Sequence, residues 1–269
     1  MTITTLDGVI AGMRPPEGFL KVGGTMEAAG VFHSLFYTSG RPGAAVAPTP
    51  GMNGEALTSF AGQIPFVNPV SGNSFLARLS ASSSGSVGCL FLLDRLWHQS
   101  GIAVTTTTSQ ALSSVAFPAR DRDGTNGGEN VLVAIEVSTA TTNASAVTNT
   151  TLSYTNQAGS GGRTATITSF PATAAAGTFV PFQLQAGDTG IRSVQGVTLG
   201  TSYGGGAIHL VAYRMLAGVD LPLLNTGNAI DALTGGFVRL YNNSVPFLVW
   251  LASATTAATI TGQLVITQG

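Results

Sequence analysis

The chain has one cysteine, one lysine and very little charge: Asp, Glu, Lys and Arg make up 9% of its 269 residues, against about 25% in an ordinary globular domain. Each scarcity excludes something. With Cys89 alone no intrachain disulfide forms, and its setting, Val87-Gly88-Cys89-Leu90-Phe91, reads as a small buried hydrophobe. Lys21 and ten arginines scattered from Arg14 to Arg239 leave a net charge of −1. Nothing clusters to displace counterions, so nucleic acid is not an expected partner, and acidic substrates and anionic membranes are disfavoured for the same reason. The longest apolar runs, residues 245–252 and 87–93, fall far short of the roughly 20 residues that span a bilayer, so no membrane partner is expected. The first residues, Met1-Thr2-Ile3-Thr4-Thr5-Leu6-Asp7, lack the basic and continuous apolar regions of a secretory signal, which predicts synthesis that ends in the cytosol.

Thr, Ser, Ala and Gly fill the place of the missing charge. The apolar fraction is 44% and the mean hydropathy +0.33, a composition that opposes disorder and leaves little solvated surface for a free monomer. Residues 1–70 are interrupted by Pro15, Pro16, Pro42, Pro48, Pro50, Pro65 and Pro69 and read as an extended Pro/Gly-rich arm that lies on some other surface. Within it, residues 26–37 form an apolar patch without a period, and residues 55–64 suit a short helix. Residues 71–269 read as the body.

That body is predicted to be all-β. From residue 74 onward, runs rich in Val, Ile, Thr and aromatics alternate with Gly, Asn, Ser and Pro at the spacing of an antiparallel β-sandwich, jelly-roll-like in kind. The predicted strands cover 75–80, 87–97, 102–106, 113–118, 131–138, 150–154, 163–167, 179–184, 191–199, 207–216, 245–251 and 259–267. Polar and apolar residues alternate most cleanly over 164–168 and 259–267. Gln157 to Gly162 and Gly204-Gly205-Gly206 are predicted hairpin connections, and residues 229–233, after Asn228, a short helix.

Few patterns carry chemistry. Asp121, Asp123 and Glu129 share a Gly-rich loop with Asn126, an oxygen-rich set that makes a calcium candidate; Arg120 and Arg122 can neutralise the same acids without metal. His33, His98 and His209 lack metal-ligand spacing. Asp94 and His98, four apart on a strand, are separated by about 13 Å, too far for a relay. No nucleophile elbow, P-loop or dinucleotide fingerprint is present, and twelve scattered acids give no focus for paired-carboxylate chemistry. No enzyme and no cofactor are expected. Trp97, Tyr154, Tyr203, Tyr213, Tyr241 and Trp250 read as core or interface residues, or as a sugar-stacking platform.

Four segments carry a resemblance: Phe32-His33-Ser34-Leu35-Phe36-Tyr37 with Arg41-Pro42-Gly43, Leu93 to Gly101, Val115 to Asp121, and Tyr154 to Gly159. They are similar to a widespread group of tailed-bacteriophage and prophage proteins over nearly the whole chain. The resemblance implies a virion structural protein assembled in the host cytoplasm, without catalytic residues. A capsid decoration, or cement, protein is the expected role, and a tail component or a carbohydrate-binding host-attachment module the alternative. The expected partners are other copies of the chain, as a homo-oligomer and by analogy a trimer, and the major capsid protein. Leu20, Val22, Phe32, Leu35, Phe36 and Tyr37 are the apolar anchors expected to make these contacts.

Overall fold

The computed structural model describes residues 3–23 and 29–269; the first residues of the apolar patch at 26–37 fall outside them. The protein is all-β, 45% strand and 3% helix, and the described strand pairings are antiparallel. Among the described residues no helix is long and apolar enough to cross a membrane. The chain divides into two compact units of nearly equal length: unit 1 is Met1–Val46, Ser59–Asp94 and Met215–Gly269, and unit 2 is Ala47–Thr58 and Arg95–Arg214.

In unit 1 the strands Ser74–Ser83, Thr259–Gln268 and Glu17–Val22 lie side by side, flanked by Asn228–Asp231 and the two-residue strand Gly40–Arg41. Their inward residues Phe19, Leu76, Leu79, Ile260 and Leu264 share one core with Leu90 and Leu92 of Gly88–His98, Leu248 and Trp250 of Pro246–Ala252, and Leu216 and Val219. Two sheets face each other across this core, the arrangement that buries one apolar face of each. Unit 2 repeats the logic with its own core. Val131, Val133, Ile135 and Val137 of Val131–Thr139, with Leu210 and Ala212, meet Leu152 and Tyr154 of Val147–Asn156, Ala165 and Ile167 of Arg163–Phe170, and Val194 and Val197 of Ile191–Thr198.

The structure divides the chain differently from the boundary expected near residue 70. Residues 17–22 pair in unbroken register with residues 259–264, and Leu35, Phe36 and Ile64 are buried. The first 46 residues are therefore part of unit 1, and residues 47–58 belong to unit 2. Pro15 and Pro16 stand just before the strand and Pro42 just after Gly40–Arg41, so the prolines punctuate the strands without removing a ladder donor. The lone lysine ties this segment down: Lys21, 2% exposed, donates to the carbonyl oxygens of Thr38, Pro42 and Gly43 at 3.3, 2.9 and 3.4 Å. Burial pulls its ammonium down to about 8.

Other local expectations also change. Residues 55–64 form no helix; Glu55–Ala56 pairs with Trp97 and His98. Residues 228–231 form an edge strand on residues 78–81, and Asp231 then accepts the N–H groups of Leu233 and Thr234 in a turn, because ladder bonds outweigh the weak propensity of five residues. Residues 102–106 and 113–118 are irregular; the strand between them is Gln110–Ala111, and the Gln110 side chain satisfies Ala103 N, Ala103 O and Thr106 O. The Gln157–Gly162 hairpin is present, with Asn156 Oδ1 accepting from Ala158 N and Ser160 N. Gly204 to Gly206 instead connects two different sheets: a Cβ on Gly204 or Gly206 would run into Thr142 or Ala140, so glycine serves close approach there rather than a hairpin turn.

Gly262 lies between Phe19 and Ala81 in register, and the Phe19 ring covers it so closely that any Cβ would fall on the ring and on Ser80 O. Gly262→Ala is expected to lower stability by about 1–3 kcal/mol through overpacking, read as a drop in melting temperature, and pairing it with Phe19→Leu to restore part of the loss.

Candidate functional site

The calcium candidate is closed from within. Asp121 is 1% exposed, and its carboxylate accepts from Asp123 N, Thr125 N, Thr125 Oγ1, Gly128 N and Glu129 N at 2.7–3.3 Å. Burial opposes its charge, and the bonds from Thr125, Glu129 and Gly128 overcome that and hold the carboxyl below its usual value. Asp123 and Glu129 turn to Arg122, at 3.0 and 3.4 Å, and Glu129 also accepts from Thr189 Oγ1. Among the described residues no group of three His, Cys, Asp or Glu side chains is placed to hold a metal.

A charged cluster lies inside unit 2. Arg95 and Glu136, both fully buried, form a bidentate pair at 3.0 and 2.7 Å. Arg95 Nε donates to His98 Nδ1 at 3.2 Å. Since arginine only donates, that ring nitrogen is the acceptor, and the His98 proton sits on Nε2, which meets Glu55 Oε1 at 2.8 Å. Burial, with the charges of Arg95 and His209, drives His98 down to about 2, so it stays neutral and cannot work as a base near pH 7. Arg120 holds the neighbouring main chain through Leu57 O and Arg95 O. Asp94 does not meet His98; it accepts from Ser244 Oγ and Val245 N.

His209 has the geometry of a base beside a nucleophile. Its Nδ1 donates to Gln99 O at 2.9 Å, which leaves Nε2 to accept from Ser138 Oγ at 2.7 Å. Ser138 is the extra residue of a bulge, between the pairs Val137–Ile208 and Thr139–Ala207. The pair is best read as the hydrogen bonds a buried imidazole requires. Cys89 is half-buried, and burial together with a bond to Asp220 pushes its thiol up to about 12, away from the reactive thiolate.

The six apolar anchors separate. Leu35 and Phe36 are inside unit 1, where Phe36 packs on Phe60 and Phe247. Phe32, edge-on to Phe91, and Tyr37 are half-buried, while Leu20 and Val22 point outward. Of the aromatics, Trp97, Tyr154, Tyr203, Tyr213 and Trp250 are buried; Tyr241 is half-exposed beneath Arg239.

The surface holds a pattern that sequence reading missed. Among the described residues thirteen large aliphatic side chains are exposed, and twelve of them, all but Val115, belong to unit 1. They include Leu6, Ile10, Met13, Val67, Val70 and Leu233, isolated residues in aperiodic or Pro/Gly-rich stretches, whose only sequence signal was an apolar residue without periodic partners. The chain has 11 basic and 12 acidic residues, and among the described residues seven of these are buried: Lys21, Asp94, Arg95, Arg120, Asp121, Glu136 and Arg214. An apolar groove of about 420 Å³ on unit 1 is lined by Arg14, Glu17, Val67, Val70 and Ile266 among others. A second, about 330 Å³, lies between Leu6, Val9, Leu233 and Phe237. A polar groove of about 780 Å³ is lined by Arg78, Ser80, Ser82, Asn225, Asn228, Thr261 and Gln263.

Two measurements check the buried cluster. Arg95→Met removes the bidentate partner of the buried Glu136 and is expected to destabilise by about 3–5 kcal/mol, whereas Arg95→Met with Glu136→Leu recovers most of the loss; thermal or denaturant unfolding reads both. Below pH 6.5 the unfolded chain takes up a proton at His98 that the folded chain refuses until about pH 2. Stability therefore falls with acidification through this window, by up to about 1.4 kcal/mol per pH unit. His209, held low mainly by burial, acts in the same direction. The melting temperature should drop between pH 7 and pH 5, and His98→Gln should flatten that slope.

No protein-family model and no curated protein matches the chain. Among solved structures it is similar to the T=1 particles derived from infectious bursal virus, at 10% identity over 96% of this chain and 79% of that chain, with a TM-score of 0.19. A second is the VP2 subviral particle of infectious bursal disease virus, at 10% identity, 96% and 81% coverage and a TM-score of 0.19. A third is the T13 particle of that virus, at 13% identity, 99% and 60% coverage and a TM-score of 0.17. At these scores the likeness carries no argument about this chain.

Proposed function

We propose that the chain is a non-enzymatic structural protein of a virion, a capsid decoration protein that binds copies of itself and the major capsid protein. The observation that carries this reading is the division of the surface: the exposed aliphatic side chains gather on unit 1, while seven of the few charged residues are withdrawn into the interior. Scattered exposed apolar residues need no explanation, but a concentration on one half of a chain with 9% charge marks a surface that works when covered. The resemblance of residues 32–37 with 41–43, 93–101, 115–121 and 154–159 to tailed-phage proteins supports the same role. The contact surface draws on all three chain segments of unit 1: eight of the twelve exposed residues lie within residues 1–70 and four within residues 215–233. The trimer rests on analogy alone.

A second reading, host attachment through carbohydrate, is favoured by the 780 Å³ groove, whose hydroxyl and amide lining suits neutral sugars. Copy number and position on the virion by cryo-electron microscopy decide between them. Hundreds of copies on the head are expected; a few copies at the tail tip, with glycan binding, would establish the attachment role instead.

A further inference from the structure

The helix Leu6–Ala11 buries none of its residues within its own chain. Six residues cannot hold a helix alone, and what fixes this one is polar: its Thr5 cap accepts from Gly8 N, Thr267 Oγ1 donates to Val9 O, Gln268 N to Gly12 O and Arg14 N to Ile266 O. Its apolar side is left open, with Leu6 63%, Ile10 58% and, just beyond, Met13 49% exposed. Next along the chain comes the 420 Å³ groove, where Val67 and Val70 are 75% and 104% exposed. The same groove carries one charge of each sign, Arg14 and Glu17. Arg14 Nε is anchored on Gln268 Oε1 at 2.8 Å. Glu17 has only a loose 3.6 Å contact with the exposed Arg41, a pair of little worth.

An apolar patch that carries one cation and one anion matches its own image under a two-fold rotation, since each copy then offers Glu17 to the other's Arg14. A different partner would have to reproduce that complement independently. We propose that this groove of unit 1 is a two-fold contact between two copies of the chain, closing Val67 and Val70 behind reciprocal Arg14–Glu17 pairs. The proposal rests on the reading that the protein acts by assembly and names the surface and the partner.

Sedimentation equilibrium of the full chain tests it with Arg14→Glu, with Glu17→Arg, and with an equimolar mixture of the two. Each variant alone sets like charges against each other and is expected to weaken self-association by at least about tenfold. In the mixture every pair is opposite in sign again, and heterodimers should form with about the wild-type affinity. Val70→Lys, at a fully exposed position, should dissociate the copies with an unchanged melting temperature. Single variants that associate like the wild type, or a mixture no tighter than its components, overturn the two-fold contact. So does a wild type that stays monomeric at about 100 μM, where even a weak specific dimer would be populated. Copy number on the virion is read separately, so an assembled virion protein indifferent to these substitutions would refute this contact and leave the structural role standing. Loss of virion binding by Val70→Lys in a monomeric wild type would assign the face to a different protein and overturn the proposal.

Discussion

Much of unit 2 depends on one buried ion pair. Arg95 and Glu136 have no access to water, and a pair so placed is tolerable only because its remaining donors and acceptors are also met. Both Glu136 oxygens are taken by the guanidinium, whose third nitrogen reaches His98. His98 passes the requirement on to Glu55 at the surface, and Arg120 secures the carbonyls of Leu57 and Arg95 itself. Each member limits the geometry of the next, so the cluster specifies how the short strand Glu55–Ala56 sits against Trp97 and His98. The same bonds, with burial, keep the His98 imidazole neutral near pH 7.

Scarce charge gives this placement its consequence outside. A chain with few ionisable groups that commits seven of them to its interior has fewer left to solvate its exterior. The deficit is uneven. Unit 2 keeps its large aliphatic residues inside, with Val115 the exposed one among those described, whereas unit 1 leaves twelve in water. Each unit has a core of its own, so the exposed residues are surplus to folding.

The four segments singled out in the sequence, residues 32–37 with 41–43, 93–101, 115–121 and 154–159, each hold a structural junction. Tyr154 and Asn156, with Arg163, close on the Asp188 carboxylate, and Gln157 accepts from Thr189 and Gly190, which holds a hairpin and the following loop together. Residues 93–101 contain the Arg95 cluster, Trp97 bonded to Asn53 O and Ser100 bonded to Gly51 N. Asp121 organises a turn, and Phe36 fills a core. These residues mark demanding points of one fold.

The sequence by itself determined the fold class, because period-2 alternation at 164–168 and 259–267 and turn residues at short intervals are properties of local pattern. It also placed most strands of residues 74–269, where β-branched runs end at Gly and Asn. It did not determine how the chain divides. Residues 17–22 and 228–231 became strands because residues 74–83 and 259–268 offered them ladders, a partner choice that no local window contains. The anchors Leu35 and Phe36 were apolar enough for an interface, and only packing decided that they fill the core while Leu6, Ile10, Val67 and Val70 remain outside. Burial depends on what arrives from far along the chain, and tertiary structure alone settles that.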